Sequence, residues 1–286
     1  MESGRATGYA AVMDAHVVPF GVHLRRWRER RRMTQADLAV AAESSTRHLS
    51  CLETGKAHPS REMVIRLAEY LNIPLRDRNT LLLAAGFAPA FSERSLDGLE
   101  AAKAAIESVL RAHHPLPAIA VDRHWNVVLS NAALPQLYEG CSEALLRQPV
   151  NAIRLMLHPE GMGPRIVNFA AWRAYTVSML RQQLDAYGDP VIKQLLAEVA
   201  GYPVPDASEE QKGFEGPERL VTPLKVATRF GVASFLNTVT VFGTPNDVTL
   251  AELALEMLFP ADQDTVAIVK RMVEESELAA ANKLSA

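Results

Sequence analysis

Between Pro19 and Gly86 apolar positions recur at helical spacing in five short runs, each closed by a cap or a turn residue. Phe20, Leu24 and Trp27 stand at i, i+4 and i+7 as one stripe, with Arg25, Arg26, Arg28, Arg30, Arg31 and Arg32 on the rest of that helix. The stripe stops after Met33. Thr34 is a good N-cap, and Asp37 falls at the third helical position, where its charge favours the positive helix end. A short second helix then buries Leu38, Ala39 and Ala42. Ser44 or Ser45 caps a third helix with Leu49 and Leu52 inward, and Thr54-Gly55 stops it, since glycine takes the left-handed turn. Ser60 opens a fourth helix with Met63, Val64, Leu67, Ala68 and Leu71 on one face. A fifth runs roughly from Arg76 to Ala85.

Past Gly86 the pattern changes. Pro89 and the polar Ser92–Ser95 stretch read as a linker over 89–97. Leu99, Ala102, Ile106, Val109, Leu110 and His113 mark an amphipathic helix. Two short β-like runs follow, Ala118–Val121 and Val127–Leu129, around a turn at Asp122–Asn126. The longest helix begins after "HPEGMGP", with Ile166, Phe169, Ala170, Arg173, Val177, Leu180 and Leu184 at helical spacing, and another covers about Pro190 to Val199. After a polar loop, three strands are expected at about Leu220–Arg229, Ser234–Phe242 and Leu253–Phe259, and a helix with a frayed end from Asp264. Strands, helices and a closing meander make an α+β domain with an antiparallel sheet covered on one face. The expected organisation is a tail at 1–18, an all-α five-helix head at 19–88, the linker, the α+β domain at 98–265, and a C-terminal helix or tail at 266–286.

Charge sharpens this division. The chain of 286 residues carries a net −3, yet residues 19–86 hold twelve Lys and Arg against seven Asp and Glu, and residues 87–286 hold 17 against 24. A basic segment on an acidic body suggests one polyanion-binding module on a carrier that polyanions do not attract. Two distant cysteines, Cys51 and Cys141, fit a reducing cytoplasm. No apolar run approaches the ~18–20 residues that span a bilayer, and the first residues lack a secretion signal. No CxxC, HExxH or clustered Cys/His spacing suggests a metal site, and no cofactor is expected. There is no GxSxG elbow and no Walker loop, and Gly161-x-Gly163 is too little for a dinucleotide fingerprint, so an enzyme is not expected.

Helices two and three, joined by about three residues, make a helix-turn-helix unit. The N-terminal part of its second helix enters the major groove, which makes Ser45, Thr46, Arg47 and Ser50 the candidate base contacts. Arg47 has the fork that pairs with guanine O6 and N7. Gln35, Thr54, Lys56 and Arg61 would meet backbone phosphates, which position the protein without reading sequence. The bland alternative is a helical bundle with a solvated arginine face. "MTQADLAVAAESSTRHLSCLETGKAHPSREMVIRLAEYL" resembles the DNA-binding domain of the xenobiotic-response-element regulators, relatives of the phage repressors. The resemblance implies that Arg28 on helix one pairs with Glu53 at the end of helix three. One departure stands out: the turn of such domains carries a glycine and an apolar residue, and here it holds Glu43 and Ser44.

The second domain resembles a PAS-type sensor fold. More narrowly, "VDRHWNVVLSNAA", "NAIRLMLHPEGMGPRIVNFAAW" and "VTVFGTPNDVTLAELALEMLFPAD" are similar to the ligand-binding domain of the MmyB-like regulators. That resemblance implies a transcription factor whose second domain holds an apolar effector, with fatty acids the implied class. Arg154, His158, Arg165, Asn168, Trp172 and Tyr175 gather around the loop that interrupts the helices and mix aromatic walls with donors, as a fatty acid would need. The same residues also read as an ordinary helix stop and core. The expected partners are double-stranded DNA with a pseudo-palindromic operator, the apolar ligand, and a second copy of the chain in a homodimer. The alternative is a redox regulator acting through Cys51 on helix three, with the second domain serving only for dimerisation.

Overall fold

Short amphipathic helices with polar caps build the N-terminal unit. In the computed structural model, which describes residues 18–205, 222–243 and 245–284, they run as α1 (Phe20–Arg30), α2 (Gln35–Ala41), α3 (Thr46–Glu53), α4 (Arg61–Tyr70) and α5 (Leu75–Ala84). Thr34 and Asp37 form a reciprocal capping box on α2, Ser45 caps α3 through His48 N, and Ser60 caps α4 through Met63 N. Of the two serines, Ser45 is therefore the cap. Leu24, Leu38, Leu49, Leu52, Leu67, Leu71 and Leu82 are all at most 1% exposed and form the core of this unit, with Trp27 and Phe20 beside them. Each such leucine contributes about 1.5–3 kcal/mol by leaving water.

The arginines of α1 are largely put to structural use. Arg28 turns inward to Glu53, Arg25 pairs with Glu29, and Arg31 donates to the carbonyls of Leu71 and Asn72, satisfying the end of α4. Arg30 and Arg31 also lie over the Trp27 ring at 5.1 and 5.3 Å. The expected linker proves partly built in. Buried Asn79 on α5 donates to Phe91 O and accepts from the amides of Ala90 and Phe91, so its side chain holds that segment in place. Ser92 then donates to Asp247 at 2.9 Å, and Val248 N donates to Ser92 O.

By backbone contacts the chain divides into two units. The described residues through Glu93 and the short segment Asn246–Ala251 make one, and Arg94–Pro245 with the residues from Glu252 onward make the other. The α+β domain is thus not continuous over 98–265: six residues between its last two strands belong to the helical unit, because Val248 is fully buried there and Asp247 is bonded to Ser92.

The second unit is α6 (Glu100–Ala112), β1 (Ala118–Val121), β2 (Val127–Ser130), α7 (Leu134–Leu137), α8 (Ala152–Leu157), α9 (Phe169–Tyr187), α10 (Pro190–Ala200), β3 (Leu224–Thr228) and β4 (Gly231–Val241). The four-residue α11 (Val248–Ala251) of the first unit comes next, then β5 (Ala254–Pro260) and α12 (Gln263–Leu284). The five strands form one antiparallel sheet in the order β2-β1-β5-β4-β3. Ile119, Val121, Val226, Ala233 and Phe235 point from it into a core shared with Phe169, Trp172, Leu180, Ile192 and Leu195.

One expectation needs correction. Ile166 does not belong to the long helix; it precedes α9 and pairs with Val226 of β3 as a lone bridge. The C-terminal segment expected as a helix or tail is the helix α12, and its Ile268 and Val269 are 7% and 6% exposed and sit in this core. The expected strand start at Leu220 lies outside the described residues.

Candidate functional site

Helix α3 is anchored on its apolar side by Leu49 and Leu52 and presents Thr46 and Arg47 outward, with Ser45 exposed and Ser50 half-buried at its start and middle. The turn before it takes the left-handed conformation at Glu43, with φ of 50°, where glycine would be at ease. Glu43 stands where the resemblance implies a turn with a glycine, and the backbone adopts the turn regardless. Ser44 N closes it on Ala39 O at 2.8 Å. After α3, Gly55 has φ of 72° and Lys56 N bonds back to Cys51 O at 2.8 Å, which stops the helix and leaves the Thr54 and Lys56 side chains exposed. Arg61 is exposed at the start of α4. Cys51 is a half-buried free thiol between these groups.

A second set of contacts fixes the angle of α3. Arg28 holds Glu53 with a two-pronged pair at 2.6 and 2.9 Å and also donates to Met33 O at 2.9 Å. Gln35 Nε2 donates to the same carboxylate at 2.8 Å. One glutamate thus joins α1, the first turn of α2 and the end of α3. Burial works against the ionised Glu53, but the bonds from Arg28 and Gln35 outweigh it and hold its carboxyl below the ordinary value. At Gly21 α1 passes so close to α3 that a Cβ would lie 2.4 Å from Leu52 O and 2.5 Å from Glu53 O, so only glycine fits. The Gln35 amide expected at a phosphate is therefore turned onto Glu53, where it supports α3.

In the second unit an apolar cavity of about 40 Å³ lies against the inward face of the sheet. Leu134, Leu137, Met156, Met162 and Trp172 wall it on the helical side, and Ile119, Leu224 and Leu258 on the strands. Tyr138, Asn237 and Glu256 supply its polar groups. Glu256 is 9% exposed, and burial pushes its carboxyl up to about 7 although the bond from Asn237 works the other way. Trp172 Nε1 is aimed at Met156 Sδ, 2.6 Å away.

Of the six residues expected at the effector, Trp172 lines this cavity. Tyr175 stacks tilted on Trp172 at 5.2 Å and is 41% exposed. The others are engaged elsewhere. Arg154 forks onto Glu198 at 2.9 Å, and Glu198 accepts from Tyr202 Oη as well. Arg165 donates to Leu137 O and reaches Cys141 Sγ. His158 Nδ1 accepts from Glu160 N, and its ring meets Tyr202 edge-on at 5.1 Å. Asn168 bridges Pro223 O and Lys225 N, tying the start of α9 to β3. The residues that sequence reasoning missed are Asn237 and Glu256. Their signal was a polar side chain in step with Phe235 and Leu258 on otherwise apolar strands, which only the strand register makes inward.

The MmyB-like transcription regulator ligand binding domain family matches residues 102–272, and a helix-turn-helix domain family matches residues 19–81. No curated protein matches the chain. Among the described residues no helix is long and apolar enough to cross a membrane. With the first match covering more than half of the sequence, and a capped helix-turn-helix unit ahead of it, the chain belongs to the MmyB-like transcription regulators.

Proposed function

We propose that the chain acts in the cytoplasm as a homodimeric, sequence-specific DNA-binding regulator whose cavity takes an apolar, chain-like effector. The observation that carries this is the apolar cavity on the inward face of the sheet, walled by two methionines and Trp172. At about 40 Å³ it has room for no more than a few waters, so a chain enters by moving its walls. Met156 and Met162 are the side chains best suited to yield. A ligand that forces such a change binds two states of the protein unequally, which any effector must do to regulate. Fatty acids, the class implied by resemblance, suit the apolar walls. The expected anchors Arg154 and Arg165 are engaged with Glu198 and with Leu137 O, which leaves the polar end a separate question.

Affinity should rise by up to about 0.8 kcal/mol per buried methylene along a homologous series until the cavity is full. Titration calorimetry across that series, then a gel shift with the tightest member, tests both the binding and its effect on DNA. A flat response to chain length, or tight binding with unchanged DNA affinity, would reduce the second domain to a scaffold.

At the other end of the chain, Arg47→Ala should cost about 1–3 kcal/mol on the preferred site and relax the choice at one base position. Lys56→Ala should weaken all duplexes about equally. Binding of a randomised duplex pool to each variant separates the two effects, and an unchanged preference in Arg47→Ala would mean that α3 does not read bases through this residue.

A further inference from the structure

The sheet of the second unit is apolar on both faces, and α6 covers only part of the outer one. Ile119, Val121 and Phe235 point inward, so strand alternation turns Leu236, Thr238, Thr240, Leu255, Met257 and Phe259 outward. Helix α6 packs over β1 and β2 on this outer face, where Ala118, Ala120 and Leu255 are buried. At its end His113 donates from Nε2 to Leu258 O at 2.9 Å and sets its ring edge-on to Phe259 at 4.8 Å. Beyond that point the cover stops: Phe259 and Leu236 are 39% and 37% exposed, and Thr238 and Thr240 are exposed beside them. The charges of α6 lie away from this strip. Glu100, Lys103, Glu107 and Arg111 recur at helical spacing along one flank, and the last two lie beside Leu129 and Ser130 of β2. The crest and the other flank, Ala101, Ala104, Ala105, Ser108, Val109 and Ala112, are exposed and uncharged. Val109 is one turn before His113, which puts the uncharged flank on the side of Phe259. An acidic domain thus carries one continuous uncharged face, half helix and half bare strand.

We propose that this face binds the same face of a second copy of the chain, each α6 lying along the outward strip of the other's β4 and β5. This locates the homodimer read above and rests on that reading. Charge, length and symmetry favour this occupant. Two copies of an acidic body repel unless they meet through uncharged surface, since like charges set against each other are costly. With 13 residues α6 is about 20 Å long, and the outward positions of β4 from Val232 to Thr240 span about 27 Å, so the helix fits within the strip. Each copy supplies one helix with a bare crest and one strip without a helix, and a single two-fold axis fills both. The alanines and Ser108 let the backbone of α6 come close to the partner's strands. The two helices then form one layer between two sheets, so that each outer face is covered across its width.

The test is analytical ultracentrifugation of the full-length protein over a concentration series. The wild type should sediment as a dimer at high concentration. Val109→Glu and Leu236→Glu should each weaken self-association by about tenfold or more, because a two-fold contact buries every introduced charge twice. Val191→Glu, at a position 45% exposed on α10 and outside this face, should leave it unchanged. All three side chains are exposed, so circular dichroism of the variants should match the wild type. In the wild type itself, dilution through dissociation should speed hydrogen exchange in 101–112 and 234–240 more than in the rest of the second unit. A monomeric wild type would sink the homodimer reading and this surface with it. A dimer indifferent to both substitutions would leave that reading standing and overturn the surface, as would an equal loss in Val191→Glu. Exchange in 101–112 and 234–240 that is as slow in the monomer as in the dimer would overturn it too, since another part of the same chain would then be the cover. The exchange measurement decides the matter even if a variant does not fold.

Discussion

Glu53→Ala should lower the stability of the helical unit by about 3–5 kcal/mol, the usual cost of removing one partner from a buried ion pair. The glutamate side chain is 3% exposed and that of Arg28 10%, so the guanidinium left behind would be stranded away from water. Gln35 would lose its acceptor at the same stroke. Urea unfolding of the variant measures the loss, and a shift worth under about 1 kcal/mol would mean that Glu53 does not hold the three helices together. In the double variant with Arg28→Ala the cost should be well below the sum of the two single changes, because the second removes the stranded charge. Acid should act through the same residue. The folded carboxyl sits below its ordinary 4.5, so its contribution is fully present above that value and is lost as the pH falls through the depressed one. The stability of Glu53→Ala should accordingly vary less over that acid range.

The other large effect concerns salt. If Lys56 and Arg61 each neutralise a phosphate in both heads of a dimer, four counterions are released, and log K falls with a slope of about −0.9 per contact. Raising salt from about 50 to about 200 mM should then weaken DNA binding by roughly a hundredfold. Gln35 and Thr54 carry no charge and add nothing to this slope. Fluorescence anisotropy with a labelled operator duplex reads it directly, and Lys56→Ala should flatten it by about two contacts in the dimer. Salt-insensitive binding would remove the phosphate assignment.

Local chemistry explains what could be read from the sequence. Thr34, Ser60 and Gly55 act on the residues beside them, so the starts of α2 and α4 and the stop of α3 followed from these residues. The apolar stripe of α1 was equally plain, but the duties of its arginines were not, because Arg31 finds its partners some forty positions away at Leu71 and Asn72. The left-handed turn at Glu43 was hidden for a different reason: tertiary packing of α2 and α3 imposes a conformation for which the residue itself has no preference. In the second domain the strands were legible from their β-branched and aromatic runs. The cavity was not, since which polar residue faces inward depends on pairing between β4 and β5 and not on either strand by itself. The donor-rich loop drew attention to Arg154 and Arg165 because cations near aromatic residues look like an anchor. Only the geometry shows Glu198 and the Leu137 carbonyl already holding them.

The segment Asn246–Ala251 bears on how this protein is made. It belongs to the helical unit, where Asp247 meets a serine 155 positions earlier in the chain. Synthesis runs from the N-terminus, and domains ordinarily fold as they emerge from the ribosome. Here the five helices of the head can assemble early, yet the piece that bonds to Ser92 and buries Val248 arrives only after β4 has been translated. The DNA-reading unit is therefore finished only once the residues after β4 have been made, and a nascent chain interrupted before Asp247 carries a head that is still missing a part.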